Sequence, residues 1–373
     1  MSLRTEFVVL ASAGGANVRV LCRRFGISPT TAYKWLGRYR QGGGAGLADR
    51  SRRPRHSPRR TPSAVEAAVL ALRDARPAWG ARKIHARLKA QTPAPPALPS
   101  PSTMNAILQR HDRIDAAASA QHRPWQRFEH AAPNQLWQLD FKGSFPLAEG
   151  RCHPLTVLDD HARFSLCLAA CPDQRGPTVQ GHLTTCFRRY GLPERMLMDN
   201  GAPWGDDWTH PYTPLTAWLI RLGIHVTHSR PYHPQTLGKD ERFHRTIELE
   251  LVRGRSYTDL AQCQQAFDAW RPVYNLERPH EALGLATPAS CYRVSPHPFP
   301  ECLPPIEYAP GDLVRKVQQG GKILFHGTEH RVGRAFYGYP VALRPTTTDG
   351  VWEVYFCYQR ITTLDLQKAV TDA

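Results

Sequence analysis

The hydrophobic residues of this chain change their period once, and that change limits the architectures open to it. Up to His111 apolar side chains recur at three- and four-residue spacing, as on helices buried along one face. From residue 134 they alternate or fill short runs bounded by Gly, Pro and Asn, as in strands. Such a chain reads as an all-α region followed by an α/β domain. With 373 residues, two or three domains are expected. The 41% hydrophobic content suffices for a core and excludes wholesale disorder.

Within 1–45 the apolar positions Leu3, Phe7 and Leu10, then Val20, Leu21 and Phe25, then Ala32, Trp35, Leu36 and Tyr39 mark three helices. Gly26 permits a sharp turn between the second and third, Ser28 is a good N-cap, and Pro29 suits a first helical position. This predicts a helix-turn-helix whose last helix runs from about Pro29 to Arg40. Burying its apolar stripe turns Thr30, Thr31, Tyr33, Lys34 and Arg38 outward, where they could enter a major groove. Phe7–Ala13 resembles an export signal only faintly. Arg4 is offset by Glu6 and a basic helical pattern follows, so it reads as a first helix.

The charge supports a nucleic-acid role for this end. Residues 1–130 hold 23 Lys/Arg against 7 Asp/Glu, whereas residues 131–373 hold 25 of each. An excess confined to one third is the footprint of a nucleic-acid-binding region beside a neutral domain with another task. In 46–62 Arg50, Arg52, Arg53, Arg55, Arg59 and Arg60 are broken by Pro54, Pro58 and Pro62. That tract cannot form a core and reads as a basic linker for phosphates, with Arg52, Arg53 and Arg55 as contacts. Residues 63–115 read as a second helix-turn-helix-like domain, with helices near Val65–Arg76, Trp79–Lys89 and Thr103–His111. Residues 112–133 read as a further linker.

The α/β part, 130–290, is predicted to hold strands at Gln135–Phe145, Cys152–Leu158, Arg163–Ala170, Glu194–Asp199 and Ile224–His228. Helices are expected at Thr178–Tyr190, Leu215–Leu222, Gly238–Val252 and Tyr257–Tyr274, which makes a mixed sheet. Strand-like pieces at Leu313–Val317, Gly338–Leu343, Val351–Tyr358 and Arg360–Leu366 suggest a small C-terminal β-barrel over 305–373. The nine cysteines are odd in number and include no Cys-x-x-Cys pair, so they read as reduced thiols. No run approaches the roughly 18 apolar residues of a membrane span, and a cytoplasmic protein without a membrane partner is expected.

Three acidic residues stand out. Alternation in Trp137-Gln138-Leu139-Asp140-Phe141-Lys142 sets Gln138, Asp140 and Lys142 on the face opposite the aromatics. Asp199, with Asn200 and Gly201, follows a strand directly, at the carboxyl end where α/β sheets bind ligands. Glu241, His244 and Arg245 share one face of the helix that opens at Gly238. Phosphodiester chemistry through two divalent ions needs carboxylates from separate elements, and Mg²⁺ prefers such hard oxygen ligands. Asp240 is a rival to Glu241, turned about 100° around the helix. Asp206 and Asp207 in a Trp/Pro-rich loop are weaker rivals, and a turn role suits Asp159 and Asp160 better than metal binding. His225, His228 and His233 lack cysteine partners at zinc spacing.

The runs WQLDF, LMDNG, RPYHPQTLGKDERFHRT and YNLERPHEALG, in that order, resemble the core of retroviral-integrase-like DDE transposases of bacterial insertion sequences. The resemblance covers 134–290, extends to the helix-turn-helix, and is loose over 300–373. It implies an RNase H-like fold and Asp140, Asp199 and Glu241 as catalytic metal ligands. Two Mg²⁺, replaceable by Mn²⁺, would serve DNA 3′-end cleavage and strand transfer. It also implies paired double-stranded transposon ends on a homodimer or higher oligomer, and a nucleoid-associated place in a bacterial cytoplasm. Lys239, Arg242 and Arg245 are expected on the DNA backbone, and Asn200, His233 and His244 as auxiliaries. Two features depart from the family: Leu237 stands where Asn is usual, and Asp199 and Glu241 lie 42 residues apart. A regulator that keeps the fold without the chemistry, and a nuclease that stops at hydrolysis, are the rival readings.

Overall fold

The structure, a computed structural model, describes residues 2–49, 60–95, 97–114, 130–205, 211–229 and 238–367. The chain divides into two compact units, Met1–Arg60 and Thr61–Ala373. The first is a three-helix unit of α1 (Leu3–Ala11), α2 (Val18–Arg24) and α3 (Pro29–Gly42). Each N-cap side chain closes its helix: Ser2 accepts from Thr5 N, Asn17 from Arg19 N and Val20 N, and Ser28 from Thr31 N. Phe7, Val8, Cys22, Ala32, Leu36 and Leu47 form its core. Phe7 meets Phe25 and Trp35 edge-on at 5.5 and 5.9 Å. Gly26, at φ +64°, makes the turn before α3, as the helix-turn-helix reading required. The tract with Arg52, Arg53 and Arg55 lies outside the described residues.

The second unit opens with α4 (Ser63–Ala75), α5 (Ala81–Lys89) and α6 (Pro101–Arg110). Val69, Trp79, Ile84, Leu88, Met104, Ile107 and Leu108 fill the space between them. Val273 from the following domain joins this cluster, so α5 is docked against the α/β part.

That part is a six-stranded mixed sheet built from β1 (Trp137–Phe141), β2 (Phe145–Pro146), β3 (Arg151–Asp159), β4 (Ser165–Cys171), β5 (Arg195–Met198) and β6 (His225–His228). The order is β2-β3-β1-β5-β6, and β4 also pairs with β3. β1 runs antiparallel to β3 and parallel to β5, and β5 is parallel to β6. The helices α7 (Gly176–Tyr190) and α8 (Pro214–Arg221) bury the face carrying Trp137, Leu139 and Phe141. The other face packs against α9 (Gly238–Ile247) and α10 (Leu260–Pro272) through Leu158, Leu168, Phe243 and Phe267. Both α9 and α10 end in a π-helical turn, Glu248–Val252 and Val273–Glu277. A short α11 (Pro288–Cys291) follows.

The C-terminal part corrects an expectation. Four strands form an antiparallel sheet: β7 (Leu313–Lys316), β10 (Pro340–Pro345), β11 (Val351–Phe356) and β12 (Gln359–Asp365), in the order β12-β11-β10-β7. A separate hairpin joins β8 (Lys322–Phe325) to β9 (Thr328–Arg331). No barrel closes among the described residues, since closure pairs every strand on both sides and here β7 and β12 are edges. The core explains why. Val341, Leu343, Val354 and Phe356 share one apolar cluster with Leu215, Ile220 and Val226, so the inner face is covered without curling. Gln359 fastens the contact, its Oε1 accepting from Val226 N at 2.9 Å and its Nε2 donating to Val226 O at 3.0 Å. All nine cysteines are free; five are buried and Cys302 is exposed. Among the described residues no helix is long and apolar enough to cross a membrane.

Candidate active site

Two neighbouring parallel strands set the first two carboxylates side by side. The β1–β5 register pairs Trp137 with Met196 and Gln138 with Leu197. Carried two residues further, it brings Asp140 level with Asp199. Pleating sends Asp140 away from the aromatic face, toward the α9 side, as the alternation predicted. Asp140 Oδ1 accepts the Phe141 N–H at 2.7 Å. Thr156, opposite it on β3, donates its hydroxyl to Asp140 O at 2.9 Å. The same hydroxyl oxygen lies 2.8 Å from His244 Nε2. Because the hydroxyl proton is engaged, Nε2 is the donor there and Nδ1 keeps its lone pair. That nitrogen faces Asp140 Oδ2 at 3.9 Å. Burial, aided by Lys142, lowers the His244 pKa to about 4, so the ring is neutral.

Asp199 follows β5 and enters a loop pinned at two points. Trp204, buried, stacks on Phe141 at 5.7 Å, and Asn200 Nδ2 donates to Ser229 O at 2.8 Å beyond β6. Asp199 Oδ1 accepts from Gly201 N at 3.1 Å, and Asp199 O takes the His228 Nδ1 proton at 2.8 Å. The loop is tightest at Gly205, where a Cβ would sit 2.7 Å from Asn200 O. Gly201 is not among the positive-φ glycines, so the chain leaves β5 here without a left-handed turn.

Glu241 stands on the first turn of α9, exposed. The helix start is anchored by a buried ion pair, Lys239 to Asp160. Asp160 also accepts from His130 N at 3.0 Å and from Gln138 Nε2 at 2.8 Å. Lys239, expected on DNA, is thus engaged inside the domain, while Arg242 and Arg245 are exposed. Asp159 accepts from Asn134 N and Ala162 N at the end of β3 and shapes the turn, as expected. Neither the burial of Asp240 nor the parts played by Thr156 and Asp160 were readable from motifs.

The Asp140 carboxyl is pushed up to about 7 by burial first, then by Asp199 and Glu241. Burial raises Asp199 as well, against the Gly201 N–H and His228. Asp240 is fully buried, held well above the carboxylate range by burial and by Asp140 and Asp160, and among the described residues neither of its oxygens has a partner. Carboxyl groups are therefore crowded at this place, and the donors are hard oxygens. That set fits Mg²⁺ better than a soft metal. Among the described residues no group of three or more His, Cys, Asp or Glu side chains converges tightly enough to hold an ion.

In the first unit, Thr30 and Lys34 are exposed on α3 and Arg38 is half-buried. Thr31 is engaged by the cap, its hydroxyl 2.9 Å from Ser28 Oγ. His233 lies outside the described residues.

Several known families match in chain order. A helix-turn-helix domain matches residues 4–55 and a homeodomain-like domain 31–108. Integrase core domains match 130–234 and 222–288, and the C-terminal domain of IS481 family transposases matches 312–372. The chain is 27% identical over 242 residues to an insertion element IS476 protein of 39.2 kDa from Xanthomonas euvesicatoria, covering 63% of this chain and 67% of that one. It is 26% identical over 158 residues to an insertion element IS407 protein of 31.7 kDa from Burkholderia multivorans, covering 42% and 55%. The chain thus spans about two thirds of one relative and about half of the other. Among solved structures it is similar to a simian T-cell lymphotropic virus intasome, at 15% identity and TM-score 0.37 over 74% of this chain and 99% of that one. It is also similar to the HTLV-2 integrase catalytic core domain in complex with magnesium, at 12% identity and TM-score 0.33 over 44% and 99%.

Proposed function

We propose, from the premise that this chain is built as an insertion-sequence transposase with an integrase core and N-terminal helix-turn-helix domains, that it cuts and joins DNA at the ends of its element. The observation that carries the reading is the strand register that sets Asp140 and Asp199 level on β1 and β5, with Glu241 on the first turn of α9, the helix packed on the face to which Asp140 points. These three would hold two Mg²⁺, or Mn²⁺ in their place. Divalent ions there would lower the pKa of the attacking oxygen and stabilise charge on the leaving one.

The chain's own residues do the positioning. Thr156 and the Phe141 N–H hold Asp140 in place, and neutral His244 adds no charge beside it. Trp204 and Asn200 hold the Asp199 loop against β1 and β6. The Asp160–Lys239 pair fixes the start of the helix that carries Glu241. Thr30, Lys34, Arg38 and the basic linker would read and grip the duplex, with Arg242 and Arg245 on the strand nearest the site. Two ends must be paired for transposition, so the working form is a homodimer or a higher assembly on DNA.

The test is cleavage of a labelled duplex carrying the element's own end, with Mg²⁺, Mn²⁺ or EDTA. Asp140→Asn, Asp199→Asn and Glu241→Gln should each lower the rate at least about 100-fold, on the scale of losing one transition-state stabiliser. Products joined to a second duplex should appear with wild type alone. Cleavage unchanged in any of the three variants would sink the assignment, and binding without cleavage in either metal would favour a regulator.

A further inference from the structure

The surface between α5 and the segment after α10 holds more positive charge than its carboxylates can answer. Lys83, on α5, is 9% exposed and faces Arg278, Arg242, Glu281 and Glu250. One turn along the same face, Arg87 has a carboxylate of its own, Glu277 at 2.8 Å. Lys83 has none in ion-pair contact among the described residues. Glu250 is already committed, accepting from Arg278 Nη1 at 2.8 Å and from Trp270 Nε1 at 2.6 Å. Behind them His280, its ring edge-on to Tyr274 at 5.0 Å, faces Arg278, Lys83, Arg163 and Arg242. His280 Nε2 and Arg278 Nε are sealed from solvent without hydrogen-bond partners among the described residues. Buried cations facing one another are unfavourable unless an anion joins them. Arg242, exposed, is one residue from Glu241.

We propose that Lys83 and Arg242, over a floor of Arg278 and His280, form a receptor for a backbone phosphate of the DNA strand that enters the candidate active site. This rests on the reading that the protein acts on DNA. Exposed Arg242 makes the contact at the mouth and Lys83 meets the same phosphate from beneath; Arg278, buried below, supplies field rather than a hydrogen bond, and His280, kept neutral by burial, is part of the lining. The receptor would couple the second helical domain to catalysis, because α5 carries one wall and α9, with Glu241, carries the other.

Binding of the full chain to a fluorescent random-sequence duplex of roughly 30 base pairs, in EDTA and over a range of chloride, tests it. Lys83→Met should make the log–log salt slope shallower by about 1, the signature of one lost phosphate contact. It should also weaken affinity about 3- to 10-fold, while Lys83→Arg restores both. The melting temperature of Lys83→Met should equal or exceed that of wild type, since a buried cation has been removed. Should that variant fail to fold, exposed Arg242→Gln should show the same loss of slope. A wild-type slope in the folded variant overturns the proposal while leaving DNA binding intact. A wild-type chain that does not bind duplex at all overturns the DNA reading itself. Exchange of chloride for inorganic phosphate at equal ionic strength should preserve the difference between wild type and variant. If it erases the difference, the site takes free phosphate and the DNA assignment falls.

Discussion

Single side chains here are set as much by what surrounds them as by their type. Lys83 is the clearest case, because burial first, then Arg278 and Arg242, lower its pKa to about 7 against the pull of Glu281 and Glu250. A lysine whose folded pKa lies below its unfolded value contributes stability that is present above about pH 10.4 and is lost as pH falls toward 7. Lys83→Met should therefore stabilise the protein by on the order of 2 kcal/mol at pH 6. The gain should shrink steadily toward pH 10, read from melting curves at both ends of the range. A gain that does not change with pH would show that lost charge is not its cause. Asp140 was legible as a candidate because an acidic residue in a strand between aromatics is unusual. The neighbouring Asp240 was legible only as a rival, since nothing in a local motif says which of two adjacent carboxylates turns inward.

At the scale of elements, the ion pair at the start of α9 decides where Glu241 stands. Lys239 and Asp160 are both largely buried, and removing one partner of such a pair leaves the other charged and enclosed. Lys239→Met should slow metal-dependent cleavage by about 10-fold or more through displacement of Glu241. It should leave the salt slope of duplex binding at the wild-type value. A slope reduced by about 1 would instead restore Lys239 to the DNA backbone. Helix and strand identities were readable in most of the core, since their apolar periods are strong, but the run read as one strand over Gln135–Phe145 breaks into β1 and β2. The β8–β9 hairpin was not readable, because each strand is only four residues long and Thr328–Arg331 has no apolar position. The barrel expectation failed for a related reason: strand patterns report alternation, not which edges pair.

Across the whole molecule, charge and catalysis are divided along the chain. The excess of 16 positive charges lies before residue 131, while the carboxylates follow it. Duplex binding by the full chain should weaken steeply with salt, with a log–log slope of about −5 or steeper if several phosphates are neutralised. A slope near zero would remove the electrostatic argument for the N-terminal third. Covering of the C-terminal sheet by the core also operates at this scale, through Gln359 on Val226 and the cluster joining Phe356 to Ile220. No local pattern could show it, because those partners are more than 100 residues apart in sequence.

What the amino-acid order determined by itself was the division into helical and α/β parts, the basic end, and three acidic positions on two strands and a helix. These follow from period, composition and short-range turn chemistry, which need no distant partner. Only the tertiary structure decided that Asp140 and Asp199 stand level on neighbouring strands and that Lys239 is bound inward by Asp160. It also decided that Asp240 is sealed without a partner among the described residues and that Lys83 lies near Arg278. Each of these depends on contacts between segments far apart in the chain, where burial and the fields of neighbouring charges, rather than residue type, set what a side chain can do.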